Sequence, residues 1–416
     1  MNSQLHKINP SDNKASGPLS DLKILDLSRL VAGNFLTYHM ADLGADVTKV
    51  ESPGSGDPLR AFAEDGISAY WKVFGRNKKS IAIDLKSPEG KKIILDLVRS
   101  ADALIENFKP GGLEKLGFSP DTLHAINPKL VIVRISGWGQ TGPYCQKPGF
   151  GTLIEAFSGF AAKSGFPDSG PLLPNLGLAD MMAGIVGAYM LLAALRTVEV
   201  GAEGSGGKGQ VIDLSLLDSM NSFLGADPTL SQLTGQPIPR SGNVSALAAP
   251  RNIYIASDGG YVALSASMQS MAEKLFIAMG REDLITDERY HSNAARVQNR
   301  DSLDRIISDF TESRSLKDNL EFFDTHGITA AAVNDSVTVL EDAHVIERQV
   351  FVAVDDPDLG TMAMPNIAAG FSETPGGIYA LAPGIGEHTR ETLAALGYSK
   401  ETIEQLLQDG VVGEGG

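Results

Sequence analysis

The sequence predicts an α/β fold with a Rossmann-like sheet, because short apolar strand patterns alternate with helical patterns along the first half of the chain. The first strand is expected at Lys23–Leu27, a helix at Gly33–Leu43 and a second strand at Asp46–Val50. Residues 28–33 read Ser-Arg-Leu-Val-Ala-Gly. The dinucleotide fingerprint G-x-G-x-x-G is therefore missing after the first strand, and NAD is not expected despite the topology.

The later elements of this sheet continue the alternation. A helix is expected to begin at Ser87-Pro88-Glu89, since serine is a good N-cap and proline fits the first helical turn. The apolar run Met181–Leu195 is shorter than the roughly 18 residues that a membrane span needs, so it is expected to form a buried core helix. Further strands are expected at 80–85, 103–106, 130–135 and 210–214, and a further helix at 113–126.

The second half of the chain predicts a smaller α+β domain inserted into the first. A hairpin is expected over 252–266 with its turn at Asp258-Gly259-Gly260, and amphipathic helices follow up to the stop signal Gly327. Residues 350–354 and 401–408 then return to the first domain, which is thus built from both chain ends. The expected boundaries are a flexible N-terminal tail at 1–18, the first part of the large domain at 19–225, the small domain at 226–334 and the return to the large domain at 335–416, with a flexible connector at 201–208.

Composition excludes several classes of function. The formal charge of −16 over 416 residues argues against a nucleic-acid partner, which needs a basic surface. The single cysteine, Cys145, rules out a disulfide within the chain. Residues 1–18 lack the apolar core of a signal peptide, and the seven histidines show no metal-ligand spacing. We therefore expect a cytoplasmic protein without a membrane partner or a metal.

Asp180 is the candidate catalytic residue, because it stands at the start of the long apolar helix. Helix N-terminal amides and the helix dipole would hold such a carboxylate ionised for nucleophilic attack. Aspartate is also among the best N-cap residues and needs no further role there. Spacing alone favours this simpler interpretation.

Two segments are candidates for ligand binding. Arg76, Lys78, Lys79 and Lys86 flank the third strand, where they could bind phosphates or remain ordinary surface cations. The glycine-rich segment 136–143 follows a strong strand, at the edge where open α/β sheets bind ligands. A plain turn with Trp138 as a packing residue is the slightly favoured alternative for that segment.

Cys145 and His388 are the remaining reactive side chains of interest. Cys145 has no base beside it in sequence and is expected to be an incidental thiol. His388 could act as an acid or base, although helix capping by the neighbouring Thr389 is the favoured alternative for this segment.

Several short segments, in order along the chain, resemble the class III CoA-transferases, the CaiB/BaiF family of formyl-CoA transferase and carnitine CoA-transferase. Each segment alone is weak, whereas the ordered set between Leu19 and Leu407 is specific. The segments are LKILDLSR at 22–29, LGADVTKVE at 43–51, GSGD at 54–57, NKKSI at 77–81, ENFKPG at 106–111, GLADMMAG at 177–184 and PGIGEHT at 383–389.

This resemblance implies an interlocked homodimer whose subunits each have a Rossmann-like large domain and a small domain. It also implies covalent catalysis by Asp180, which attacks an acyl-CoA thioester and passes through an aspartyl anhydride and an aspartyl-CoA thioester. A carboxylic acid then accepts the CoA. Coenzyme A thioester is accordingly expected as a substrate, with no permanently bound cofactor.

The resemblance also implies the residues that contact CoA. Val31 replaces a glutamine of formyl-CoA transferase, which argues against formyl or oxalyl substrates. Ser52 and Lys115 replace arginines, and Arg29 or Arg76 could substitute for their phosphate contacts. A mobile tetraglycine loop of that enzyme has no counterpart near 245–250. The positions that match CoA contacts are Val31, Ala32, Ser52, Ile83, Asp84, Leu85, Lys86, Asn107, Phe108, Lys109, Lys115, Gly149, Phe150, Gly151 and Thr152.

Three other functions remain as alternatives. An α-methylacyl-CoA racemase of this fold needs a histidine base in a Gly-His-Asp segment, but residues 149–152 read Gly-Phe-Gly-Thr. Intramolecular CoA transfer within one dicarboxylate stays open. A CoA-binding protein without activity is disfavoured by the intact Asp180. The acyl substrate is not specified, and succinyl-CoA or another dicarboxylic acyl-CoA is expected from family frequency alone.

Overall fold

The computed structural model describes residues 4–10, 17–201 and 206–415, so part of the predicted connector, 202–205, lies outside the described residues. The chain divides into two compact units. The smaller unit includes a segment that the sequence-based boundaries assigned to the large domain, residues 161–172. The larger unit comprises 1–160, 173–228 and 340–416, and the smaller unit comprises 161–172 and 229–339.

The described residues form the following elements. The strands are β1 Lys7–Ile8, β2 Lys23–Asp26, β3 Asp46–Glu51, β4 Lys78–Ile83, β5 Ala103–Glu106, β6 Val131–Ser136, β7 Val211–Ser215, β8 Arg251–Ile255, β9 Tyr261–Ser265, β10 Ala330–Ala332, β11 Phe351–Asp356, β12 Gly360–Pro365 and β13 Val412–Gly413. The helices are α1 Ala32–Asp42, α2 Ala69–Phe74, α3 Pro88–Val98, α4 Gly112–Lys115, α5 Pro120–Ile126, α6 Gly151–Phe157, α7 Phe160–Lys163, α8 Leu178–Val200, α9 Leu216–Leu224, α10 Asp227–Thr234, α11 Gln269–Ala278, α12 Asp283–Thr286, α13 Asn293–Gln298, α14 Arg300–Glu312, α15 Leu316–Thr325, α16 Ala343–Glu347, α17 Thr389–Ala395 and α18 Lys400–Gln408.

The central sheet of the larger unit has the strand order β13-β4-β3-β2-β5-β6-β7. The strands from β2 to β7 pair in parallel with their neighbours. Their order reverses between β2 and β5, as in the doubly wound Rossmann arrangement. Val412 of β13 pairs antiparallel with Ile83 at the edge of the sheet. The predicted α/β class is confirmed.

Helix α8 packs against α1 in the core of the larger unit. Two glycines permit this close approach: a Cβ on Gly184 would lie 2.9 Å from the Phe35 ring, and a Cβ on Gly187 would lie 2.6 Å from a Leu36 methyl group. The helix is longer than the predicted apolar run. By length and composition alone, this helix could span a membrane. This is weak evidence for a span, because 50% of its most apolar window is buried inside the protein, as in a core helix.

Two local predictions are wrong. The segment 113–126 forms two helices, α4 and α5, because Gly117 adopts a φ of 88° and Ser119 caps a new helix. Residues 4–10 are not a flexible tail, since Lys7–Ile8 pairs in parallel with β11 and Leu5 is buried. Of the other tail residues, 17 and 18 are described, whereas 1–3 and 11–16 lie outside the described part of the chain.

The smaller unit contains an antiparallel sheet of order β10-β9-β8 with its own apolar core. The predicted hairpin is confirmed, because β8 and β9 pair antiparallel around the turn at 258–260. Gly259 in that turn has a φ of 83°, which favours glycine. The last of the helices expected after the hairpin, α15, ends at Thr325, close to the predicted stop at Gly327.

Candidate active site

Two neighbouring cavities lie at the carboxyl ends of the central strands, where open α/β sheets bind ligands. The Asp180 cavity has a volume of about 450 Å³ and is named for the carboxylate that lines it. The Ser52 cavity has a volume of about 490 Å³. Arg29 after β2 and Phe108 after β5 line both cavities, at the point where the strand order reverses. The two cavities therefore share a wall at the switch point of the sheet.

Most residues predicted from the family resemblance line one of these cavities. The Asp180 cavity is lined by Arg29, Ala32, Asn107, Phe108, Lys109, Gly149, Phe150 and Asp180. The Ser52 cavity is lined by Arg29, Ser52, Ile83, Asp84, Leu85, Lys86 and Phe108. Five predicted residues line neither: Val31, Arg76, Lys115, Gly151 and Thr152. A larger cavity, of about 720 Å³, contains none of the positions matched to CoA contacts, so we do not take it as the active site.

The prediction that Arg76 could bind a CoA phosphate is wrong. Its side chain is fully buried, and the guanidinium donates to both carboxylate oxygens of Asp42 at 3.0 and 2.6 Å. It also donates to the Tyr38 hydroxyl and to the carbonyl of Pro365. The donors of Arg76 are thus used inside the protein and do not face a cavity in which CoA could lie.

The other cations of the predicted basic cluster are also separated from one another. Lys78 is buried, and its Nζ donates to the carbonyl oxygen of Asn34 at 2.9 Å. Lys79 forms a half-exposed ion pair with Asp46 at 2.9 Å. Lys86 alone of the four is exposed and lines the Ser52 cavity. Successive side chains along β4 point to opposite faces of the sheet, which explains why Lys78 and Lys79 do not lie on one surface.

Asp180 is the third residue of α8, and its side chain does not cap the helix. The N-cap residue is Gly177, which offers no side chain for a capping hydrogen bond. The simpler capping interpretation is therefore wrong. The Asp180 carboxylate instead lies close to the backbone of Gly151, because a Cβ on Gly151 would be only 2.3 Å from Oδ2. Although Gly151 lines neither cavity, its missing side chain makes room for the carboxylate.

The electrostatic surroundings of Asp180 differ from the sequence-based expectation. Burial and the negative charge of Glu155 raise the pKa of Asp180 to about 6, against a hydrogen bond from its own backbone N–H that lowers it. The start of α8 was expected to favour the ionised form, but desolvation and a like charge outweigh it. The carboxylate is still mostly ionised near pH 7, and its raised basicity suits a nucleophile.

Glu155 of α6 is a site residue that the sequence analysis missed. Its side chain is 2% exposed, and Oε1 accepts a hydrogen bond at 3.1 Å from the backbone N–H of Ala179. The available signal was a single glutamate within the apolar stretch Leu153–Phe157. That signal is weak, because one charged residue in an amphipathic helix is most often solvent-exposed.

The loop between β2 and α1 forms part of the wall of both cavities and is fixed at two points. The Asn107 side chain accepts from the Arg29 backbone N–H at 2.8 Å and donates to the Arg29 carbonyl at 2.7 Å. Asp57 accepts from the backbone N–H of Leu30 at 3.0 Å. Leu30 has a φ of 62°, a conformation that a leucine holds only when its surroundings enforce it.

A buried charge network, consisting of Asp26, Lys49, Asp57 and Lys78, lies beneath this loop. Lys49 Nζ is 3.4 Å from Asp26 Oδ1 and 3.0 Å from Asp57 Oδ2, and it also donates to the carbonyl of Ser28. Lys78 Nζ is 3.7 Å from Asp26 Oδ2. Burial would raise the pKa of each aspartate, but the lysine charges outweigh it and lower both pKa values. The network ties β2, β3 and β4 to the loop.

The glycine-rich segment 136–143 is both a packing element and part of the site. Trp138 lines the Asp180 cavity and packs edge-on against Tyr144 and Phe157, with ring centroids 5.5 and 5.0 Å away. Gly137 and Gly149 are in close backbone contact, since a Cβ on Gly137 would lie 2.6 Å from the Gly149 Cα. This contact holds the segment next to the start of α6.

Cys145 and His388 occupy different places. Cys145 is a half-buried free thiol that lines the Asp180 cavity. His388 lines the larger cavity, where its Nδ1 accepts from the Ser80 backbone N–H at 3.3 Å. The Thr389 hydroxyl accepts from the Ala82 backbone N–H at 3.1 Å and does not cap α17, so the capping alternative is wrong. Within the described ranges, no group of three His, Cys, Asp or Glu residues could hold a metal ion.

Comparisons with known proteins identify the family to which this chain belongs. The model of CoA-transferase family III matches residues 19–389. The succinyl-CoA–D-citramalate CoA-transferase of Chloroflexus aurantiacus is 37% identical over 95% of this chain and 98% of its own length. The succinate–glutarate CoA-transferase of Agrobacterium fabrum is 34% identical over 93% of this chain and 97% of its own length.

Solved structures agree with these relatives. A CaiB/BaiF family protein from Brucella suis superposes with a TM-score of 0.81 and 32% identity, covering 92% of this chain and all of that one. Relatives of this similarity over nearly the whole chain share both the fold and the class of reaction. The protein is an enzyme that transfers coenzyme A, and it belongs to CoA-transferase family III.

Proposed function

We propose that the enzyme moves CoA from a dicarboxylic acyl-CoA, first of all succinyl-CoA, to a carboxylic acid through covalent intermediates on Asp180. The observation that carries this proposal is the half-buried Asp180 carboxylate in a cavity at the switch point of the sheet. The donor follows from the names of the Chloroflexus and Agrobacterium relatives, which are succinyl-CoA–D-citramalate and succinate–glutarate CoA-transferases. Screening acids of these classes with succinyl-CoA identifies the acceptor.

The proposed reaction uses the carboxylate twice. An Asp180 oxygen attacks the thioester carbonyl, the C–S bond breaks, and an aspartyl anhydride and CoA thiolate form. The thiolate then attacks the Asp180 carbonyl of the anhydride, which releases the donor acid as its carboxylate and leaves an aspartyl-CoA thioester. An acceptor carboxylate reverses these steps and leaves with the CoA. The aspartyl-CoA thioester is close in energy to the substrate thioester, so the overall exchange is nearly isoenergetic, and no step changes an oxidation state.

Coenzyme A is proposed to span both cavities. The nucleotide would lie in the Ser52 cavity, and the pantetheine arm would pass the shared wall of Arg29 and Phe108 to reach Asp180. Arg29, Lys86 and Lys109 are exposed at these cavities, and none of them forms an ion pair with the described residues of the chain. Free cations beside a cavity suit the phosphates of CoA, since charge-assisted hydrogen bonds to phosphate are strong.

The racemase alternative has little support in the site. Phe150 occupies the position where a histidine base would be expected, and its side chain is 62% exposed in the Asp180 cavity. No histidine among the described residues lines that cavity. Proton abstraction at an α-carbon needs a base within hydrogen-bond reach, so exchange of CoA is the better use of this carboxylate.

The interlocked homodimer, the cytoplasmic location and the absence of a permanently bound cofactor remain proposals that rest on the family resemblance and composition. The dimer can be tested by light scattering of the purified chain, which should give twice the mass of 44.0 kDa. A monomer that is active in the same solution would contradict the assembly but not the chemistry.

The transferase proposal is tested by Asp180→Ala with Asp218→Ala as a matched control. Asp218 is the third residue of α9, as Asp180 is of α8, but it is exposed and lines neither cavity. Asp180→Ala should lower exchange between succinyl-CoA and labelled acids by about a thousand-fold or more, because the nucleophile is lost. CoA binding by calorimetry should be retained, and Asp218→Ala should leave both unchanged. Substantial exchange by Asp180→Ala would refute the assignment.

A further inference from the structure

Helix α6 and helix α8 are joined by a hydrogen bond that takes the place of an ordinary helix cap. Ala179 is the second residue of α8, and its N–H is one of the amides that a helix leaves unpaired at its start. The N-cap residue Gly177 has no side chain to satisfy it. Glu155 Oε1 accepts this N–H at 3.1 Å from the neighbouring helix. The buried glutamate therefore fixes the turn that carries Asp180.

The same glutamate also places a second carboxylate beside Asp180. A Cβ built on Gly151 would lie 2.3 Å from Asp180 Oδ2 and 3.8 Å from Glu155 Oε1, so both carboxylates lie next to this glycine. Neither carboxylate has an ion-pair partner among the described residues. Two like charges near each other and shielded from water are costly and persist only where the surrounding structure imposes them.

Other charged groups are less well placed to act on Asp180. Ala32 and Leu36 of α1 lie against Gly184 and Gly187, so His39 and Asp42 lie further along α1, away from the start of α8. Asp218 of α9 is exposed. Charged or titratable groups from the surrounding loops also line the Asp180 cavity, namely Arg29, Lys109, Cys145 and Lys147. Among the described residues, the charge that adds to the effect of burial on the pKa of Asp180 is that of Glu155.

We propose that Glu155 is a positioning residue of the transferase reaction, which holds the first turn of α8 and uses its negative charge to favour the acylated forms of Asp180. This inference rests on the proposed function. When the Asp180 carboxylate becomes an anhydride or a thioester it loses its charge, so the repulsion from Glu155 disappears. The free carboxylate keeps that repulsion. Glu155 thus raises the free energy of the free enzyme relative to its covalent intermediates.

The test compares Glu155→Gln with Glu155→Ala. Glutamine keeps the oxygen that accepts the Ala179 N–H and removes only the charge, whereas alanine removes both. With the charge gone, the pKa of Asp180 should fall. The acidic limb of the kcat/KM profile of Glu155→Gln should therefore move to lower pH by about one unit. The ratio of Asp180-CoA thioester to free enzyme, measured by mass spectrometry at fixed succinyl-CoA and succinate, should fall about tenfold.

Two outcomes would overturn the inference. If Glu155→Gln keeps the wild-type pH profile and thioester ratio while Glu155→Ala loses activity, Glu155 acts only as a structural cap. If both variants match the wild type, it has neither role. A different result belongs to the proposed function: when the wild type forms no adduct on Asp180 with a donor that it demonstrably uses, the covalent route fails and takes this inference with it.

Discussion

The carboxylates of the Asp26–Asp57 network and the Asp180 carboxylate differ in their electrostatics. Asp26 and Asp57 are buried beside Lys49, and the lysine charge lowers the pKa of both despite their burial. Asp180 is half-buried, and desolvation together with the negative charge of Glu155 raises its pKa to about 6. The comparison shows that nearby lysine charges can reverse the upward pKa shift that burial causes, whereas a nearby glutamate adds to it.

This difference indicates a structural role for Asp26 and Asp57 and a chemical role for Asp180. The paired carboxylates hold the loop that lines both cavities, because Asp57 also binds the Leu30 backbone N–H. The unpaired carboxylate is left basic and reactive at the end of the Asp180 cavity. A paired Asp180 would be a weaker nucleophile, and without the Asp57 carboxylate the loop would keep only the Asn107 contacts at Arg29.

The largest expected effect comes from breaking the paired set. Lys49→Met should lower the free energy of unfolding by about 3–5 kcal/mol, because it leaves Asp57 without its counter-charge and Asp26 with only the more distant Lys78. Urea unfolding measures this change. Lys79→Met is the control, since the Lys79–Asp46 pair is half-exposed and is expected to contribute below about 1 kcal/mol. Equal losses in the two variants would contradict the distinction between buried and exposed pairs.

The unpaired carboxylate should show the opposite effect on stability. The pKa of Asp180 is higher in the folded protein than the ordinary aspartate value of 3.8. The ionised side chain therefore destabilises the fold, and this cost grows as the pH rises from about 4 to about 6 and stays constant above that range. Asp180→Asn removes the cost and should raise the free energy of unfolding by about 1–3 kcal/mol near pH 7.5, with little change near pH 4.

Urea unfolding at the two pH values measures the effect of Asp180→Asn, and Asp218→Asn is the matched control. Asp218 is exposed, so its replacement should change stability by less than about 0.5 kcal/mol at either pH. Destabilisation by Asp180→Asn near pH 7.5 would contradict the unpaired state of Asp180.

The smallest expected effects concern the cations at the two cavities. Arg29→Ala and Lys86→Ala should each weaken CoA binding by about three- to tenfold, because each removes one exposed charge-assisted contact to a phosphate. Calorimetry with CoA and with dephospho-CoA would assign each side chain to a phosphate. Lys129→Ala is the control. Lys129 is exposed and precedes β6, so it lies at the amino ends of the strands, away from the cavities at their carboxyl ends. Unchanged affinity in both cavity variants would contradict the proposed CoA path.

Local sequence signals predicted the central elements well. Ser87 caps α3 and β5 covers the predicted 103–106, because capping residues and apolar strand runs act over a few positions. The family motifs placed Asp180 and most of the lining residues in one region. The role of Arg76 was predicted wrongly, because the sequence does not show that its guanidinium forms an ion pair with Asp42 inside the protein. Glu155 was missed for the same reason, because its role depends on a contact between two helices that are distant in sequence.

The central claim is that Asp180 carries the CoA, and trapping the covalent enzyme tests it most directly. The enzyme is incubated with succinyl-CoA, treated with borohydride or hydroxylamine, digested and sequenced by mass spectrometry. The account predicts a reduced or hydroxamate-modified side chain at Asp180 and at no other carboxylate, and its loss in Asp180→Ala. A modification at another residue, or none with a donor that the enzyme demonstrably uses, would contradict it.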